Sequence, residues 1–75
     1  MPKIPALTAI KIIRALKKVG FQEDRQKGSH LVLINLKTKT RTVVPIHSGK
    51  TIKRSLVGAI IRDAKLSVEE FLKLL

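Results

Sequence analysis

Residues 28–36 read Gly28-Ser29-His30-Leu31-Val32-Leu33-Ile34-Asn35-Leu36, and this run decides the fold. Leu31, Val32, Leu33, Ile34 and Leu36 crowd β-favouring side chains into a stretch too short for a typical helix. The run therefore predicts a strand over 29–36. Side chains alternate across a strand, which places His30, Val32, Ile34 and Leu36 on one face and Leu31, Leu33 and Asn35 on the other. Lys27-Gly28 just before it is a turn signal. The polar stretch 21–26 is a weaker strand candidate on the far side of that turn. On the other side, 37–40 is a polar hairpin loop. A third strand follows over 41–46, ending at Pro45, which cannot donate to a ladder.

Helical periods flank this β region. Ala9, Ile12, Ile13, Leu16 and Val19 recur at spacings of three and four, which predicts a helix over 7–19 with one apolar face. Thr8, or the turn after Pro5, starts it. Gly20 suits the left-handed residue that ends a helix, and Phe21 can then touch Leu16, as in a Schellman ending. A second helix is read over 52–64, with Ile52, Leu56, Ala59, Ile60 and Ala64 as its inner face. Gly58 costs it about 1 kcal/mol relative to alanine, which points to close packing there. Ser67-Val68-Glu69-Glu70 is a capping box, and Leu66 and Phe71 complete a hydrophobic staple. A short third helix closes the chain.

The resulting order is α-β-β-β-α. The expected fold class is α+β: an antiparallel three-stranded sheet with two helices on one face, plus a short C-terminal helix. That is the layout of double-stranded-RNA-binding domains. At 75 residues the chain is read as one domain, residues 1–75. A chain this short buries only roughly 60–65% of the surface that its unfolded form exposes.

Charge supplies the functional direction. Sixteen Lys and Arg stand against five Asp and Glu, a formal charge of +11. Such a surface attracts polyanions, of which nucleic acid is the commonest partner. An anionic membrane is the rival, but no stretch approaches the roughly 18–20 apolar residues of a spanning helix. The opening Met1-Pro2-Lys3-Ile4-Pro5 lacks the apolar core of a secretory signal. A cytoplasmic location is the expectation. Cysteine is absent, which removes disulfides, thiolate nucleophiles and Cys-based zinc sites. With two histidines and few carboxylates, no metal or other cofactor is expected. Phe21 and Phe71 are the only aromatic residues of the Phe, Tyr and Trp kind. Stacking platforms for single strands need exposed rings, so contact with nucleic acid should run mainly through phosphates and shape.

Gly28-Ser29-His30 and Val44-Pro45-Ile46-His47 together resemble the HicA toxin family. Gly20-Phe21 and Arg25 precede the first motif at that family's usual distance. Gly49-Lys50-Thr51-Ile52-Lys53 leads into the second helix in the same way. Ile60-Ile61-Arg62-Asp63-Ala64, then Leu66-Ser67-Val68-Glu69-Glu70-Phe71-Leu72, resembles its usual ending. The likeness runs from about Leu7 to Leu72. Its specificity lies in order, spacing, length and charge taken together. The resemblance implies the toxin of a toxin–antitoxin pair that cleaves messenger RNA without a metal, on a double-stranded-RNA-binding-like fold. It implies His30 as the catalytic residue and a HicB-type antitoxin that covers the active site. One departure is Lys65, which stands where a glycine often follows the alanine that ends the second helix.

The residues fit that chemistry. RNA carries its own nucleophile, the 2′-hydroxyl. Its cleavage needs a base, an acid and positive charge on the phosphoryl oxygens. Histidine suits proton transfer near neutral pH, and lysines and backbone amides suit the charge. His30, at the start of the strongest strand, is the first candidate; its plain alternative is a histidine satisfied at the wet end of a strand. His47 is the second candidate. It can act as partner acid, bind phosphate or be a solvated loop residue. Arg25, Lys27, Gly28, Ser29, Lys50, Lys53 and Arg54 are the expected RNA contacts, with the N-terminus of the second helix, read near Thr51, offering free amides. Ser29 is adjacent to His30 on a strand and so faces away from it, which argues against a serine hydrolase. Lys11, Arg14 and Lys18 form a stripe that can extend RNA contact or meet an acidic antitoxin. Lys3, Lys37, Lys39 and Lys73 read as solvated. The alternative function is a non-catalytic double-stranded-RNA-binding module. A DNA-binding or ribosome-associated protein is a third, weakened for DNA by the lack of a helix-turn-helix pair.

Overall fold

A computed structural model describes residues 3–47 and 49–75; the readings that touch Met1, Pro2 and Ser48 lie outside the described residues. In chain order the elements are β1 (Leu7–Thr8), α1 (Ala9–Lys18), β2 (Gln22–Lys27), β3 (His30–Asn35), β4 (Thr40–Pro45), β5 (Thr51–Ile52), α2 (Arg54–Asp63) and α3 (Val68–Leu72). Strands β2, β3 and β4 form an antiparallel three-stranded sheet in that order, with β3 in the middle. The α+β layout with two main helices and a short C-terminal one is the one the sequence predicts.

The core explains the alternation along β3. Leu31 and Leu33 are buried with Val44 of β4 against Ile12, Ala15 and Leu16 of α1 and Val57, Ile60 and Ile61 of α2. Both helices therefore cover the same sheet face. Asn35 is buried on that face and its polar atoms are all engaged. Its Nδ2 donates to the Val19 carbonyl at 2.9 Å, and its Oδ1 accepts from the Lys37 and Thr38 amides at 3.0 and 3.3 Å. The residue ties the end of α1 to the β3–β4 turn.

The helix ends follow from local chemistry. Phe21 N–H donates to the Leu16 carbonyl and Gly20 N–H to the Lys17 carbonyl, both at 3.2 Å. Gly20 holds a φ of +103°. This is the Schellman ending the sequence predicts, with Leu16 and Phe21 both in the core. α2 ends the same way without glycine. Leu66 N–H reaches the Ile61 carbonyl, Lys65 N–H reaches the Arg62 carbonyl, and Lys65 takes a φ of +61°. The departure at Lys65 thus leaves the ending intact at the cost of a left-handed non-glycine residue. At α3, Ser67 and Glu70 form the predicted reciprocal capping box.

Three expectations are corrected. The second helix begins at Arg54, not Ile52, because Thr51 and Ile52 are extended and pair with Thr8 and Leu7 in a two-stranded ribbon. Leu7 and Thr8 are likewise strand rather than helix. The inner face of α2 is also turned by one position. Val57, Ile60, Ile61 and Ala64 are buried, while Leu56 is exposed. Both sets have helical spacing. Ile52 points inward from a strand, so it carries no information about the phase of the helix after it. Gly58 does pack closely: a Cβ there would lie 3.2 Å from the Ile4 side chain.

Candidate active site

Lys27 pairs directly with His30 across β2 and β3, so Gly28 and Ser29 form a two-residue hairpin loop. Gly28 has a φ of +56° and Ser29 does not share it. That is the pattern of a type II′ hairpin, with glycine at the first loop position. Nothing lies within 4 Å of where a Gly28 Cβ would sit, so the glycine serves the turn and leaves open space above it. Gln26 braces the loop by donating from Nε2 to the Gly28 carbonyl at 2.9 Å.

His30 stands on the sheet face away from the helices, because its neighbour Leu31 enters the core. Cross-strand pairing gives it Lys27 on one side and Pro45 on the other. The next row is Arg25, Val32 and Val43, and the one beyond is Gln22, Ile34 and Arg41. This open face thus has an apolar centre with basic residues on both outer strands. Val32 is buried there without joining the main core.

A β-bulge makes this arrangement possible. The register slips between Glu23 and Arg25, leaving Asp24 as the extra residue. Phe21, which precedes β2 and is buried in the core, and Lys27 are six positions apart. On a regular strand they would share a face. The bulge lets Phe21 point inward while Arg25 and Lys27 come out beside His30.

His47 lies at the same end of the sheet. His30 pairs with Pro45, and Ile46 N–H donates to the Ser29 carbonyl. The two strand-end histidines are thus neighbours of one hairpin, which the sequence leaves undecided. They are presented differently, however. His47 lines a pocket of about 240 Å³ with Thr8, Ala9, Ile10, Ile46 and Gly49, at the start of α1. Lys50 N–H donates to the His47 carbonyl at 3.1 Å, which closes the turn that carries His47. Both imidazoles are exposed, and neither makes a hydrogen bond among the described residues.

Of the expected contacts, Arg25, Lys27, Gly28 and Ser29 gather on the hairpin with His30. Lys50 sits beside His47. Lys53 and Arg54 are separated from them by β5, at the start of α2. Ser29 contributes its backbone carbonyl; its hydroxyl makes no hydrogen bond among the described residues. Arg41 was missed by the sequence reading, although its alternation with Val43 and Pro45 on β4 was a usable signal. The stripe Lys11, Arg14 and Lys18 borders a separate cavity of about 380 Å³ with Leu7, Leu74 and Leu75, away from His30.

Among the described residues, no three His, Asp or Glu side chains gather as a metal site needs. No helix among them is long and apolar enough to cross a membrane. Against known proteins, a family model described as "HicA toxin of bacterial toxin-antitoxin" matches residues 10–66. No curated protein matches the chain.

Proposed function

The chain belongs to the HicA toxin family, the toxins of bacterial toxin–antitoxin pairs, and from that premise we propose that it is a metal-independent endoribonuclease acting on messenger RNA through His30. One observation carries the reading: an exposed imidazole, without a hydrogen bond among the described residues, directly opposite Lys27, at an open hairpin of a chain with +11 charge.

The chemistry needs few groups. His30 takes the proton from a ribose 2′-hydroxyl. The 2′-oxygen attacks the adjacent phosphorus, and the bond to the 5′-oxygen breaks. The resulting imidazolium returns the proton to that leaving oxygen, giving a 2′,3′-cyclic phosphate and a free 5′-hydroxyl. Lys27 opposes the charge that builds on the phosphoryl oxygens. Arg25 and Arg41 on the open face, the Gly28-Ser29 loop, and Lys50, Lys53 and Arg54 hold the flanking backbone. His47 is the second candidate for proton transfer. The partner is a HicB-type antitoxin that covers His30, and the site of action is the cytoplasm.

The test compares wild type with His30→Ala for RNA cleavage in EDTA and for growth arrest on induction. The expected result is cleavage and arrest by wild type and neither by the variant, with RNA binding retained. Salt-dependent binding by both proteins and cleavage by neither would leave the non-catalytic RNA-binding module, which the sheet-and-two-helix layout also suits. Cleavage by His30→Ala would remove His30 from the chemistry.

A further inference from the structure

Both proton transfers described above can run through His30, which leaves the pocket that His47 lines free for another role. Its walls are largely aliphatic, from Ala9, Ile10 and Ile46. Thr8 adds a hydroxyl that does not cap the helix behind it. His47 supplies the one flat ring. At about 240 Å³ it is smaller than the roughly 300–1,000 Å³ of pockets for drug-sized ligands, and suits one ring system rather than a whole nucleotide. Ile10 is 62% exposed in the first turn of α1, a large apolar side chain that the core does not explain.

Phe21 and Phe71 are both buried, and the chain has no Trp or Tyr. Any nucleobase that stacks on this protein must therefore use an imidazole or a guanidinium. If His30 is committed to proton transfer, His47 is the ring left at that end of the sheet. It sits across the Ser29–Ile46 backbone hydrogen bond from the loop that leads into His30.

We propose that this pocket binds one nucleobase of the RNA strand next to the phosphate at His30, with His47 as its stacking face and Ile10 as its apolar wall. The inference rests on the endoribonuclease reading and deepens it: phosphate contacts hold the strand, while this pocket gives cleavage its dependence on a base. His47 is then a binding residue rather than the second acid.

The experiment uses a short RNA with a mapped cleavage site and a series in which each nucleotide around that site is made abasic in turn. Stacking of one base is worth about 1–3 kcal/mol, so wild type should lose roughly 5- to 150-fold in single-turnover cleavage at one abasic position. Ile10→Ser and His47→Ala should lose about as much on the intact RNA and nothing further on that abasic one. His47→Phe, which stacks but cannot move a proton, should keep the wild-type base dependence. Wild-type cleavage indifferent to every abasic position overturns the inference while leaving the nuclease reading in place. So does a His47→Phe variant as slow as His47→Ala. Binding of the same series by His30→Ala reads the pocket without turnover, and equal affinity throughout would overturn it even if no RNA were cut.

Discussion

Strand β3 leaves one hairpin and enters another, and the two ends contrast sharply. At its far end, Asn35 is buried and satisfies the Val19 carbonyl and the Lys37 and Thr38 amides in one cluster. At its near end, Lys27 and His30 face each other across a loop, and the His30 imidazole and Ser29 hydroxyl make no hydrogen bond among the described residues. Buried polar groups must be paired within the protein, since water cannot reach them. Exposed ones need not be, and binding residues concentrate where a rigid scaffold leaves them free. One end of the strand thus holds the fold, and the other offers a surface to a ligand.

That contrast can be broken by substitution. His30→Ala should lower cleavage by about a hundredfold to ten-thousandfold, the usual worth of a positioned acid or base. Urea unfolding should meanwhile shift by no more than about 0.5 kcal/mol, as at exposed sites. Asn35→Leu should do the reverse, destabilising the fold by about 1–3 kcal/mol, because the part-buried Val19 carbonyl and Lys37 and Thr38 amides lose their partner. If His30→Ala destabilises as much as Asn35→Leu, the division of the strand is wrong. Gly28→Ala should cost about 1–2 kcal/mol, because its φ of +56° burdens any residue with a Cβ, although space around it is open. An unchanged melting curve would mean that the loop relaxes freely.

The helix ends sharpen the same point at smaller scale. Gly20 and Lys65 occupy equivalent left-handed positions after α1 and α2. Lys65→Gly should stabilise by roughly 0.5–1 kcal/mol, the relief of left-handed strain less the added freedom of the unfolded chain; denaturant midpoints would show it. At Gly20, by contrast, a Cβ would also press on the Asn35 side chain at 3.3 Å. The last effect is a pH dependence without a substitution. Hydrogen bonds from the Ser67 backbone and side chain hold the Glu70 pKa below the ordinary glutamate value. A lowered folded pKa contributes stability above the unfolded value and loses it as pH falls through the folded one. α3 should therefore fray in acid before the sheet does, and Glu70→Gln should flatten that dependence in amide exchange.

Much of this was legible in the residues. The apolar period of α1, a glycine stop, a capping box and the aliphatic run over 31–34 are local signals, and each is borne out. What the sequence misjudged was equally local in appearance. Ile52 looked like the first inward residue of α2, and only its pairing with Leu7 makes it strand. Two residues gain extended structure from a distant partner that no window of sequence contains. As a result Leu56 was placed inside and Val57 was overlooked.

The candidate site divides along the same line. By itself the sequence determined a basic α+β chain with His30 opening its central strand, because charge, alternation and turn chemistry act over a few neighbouring residues. Only the tertiary structure decided which side chains share a surface with it. The bulge at Asp24 carries no glycine or proline to announce it. It arises because Phe21 must reach the core while the hairpin pins Lys27 opposite His30. Register likewise brings His47 to the same end of the sheet and leaves it lining a pocket with Thr8 and Ile10. Such placements depend on pairing between strands and on packing against helices, which are set by the whole chain at once.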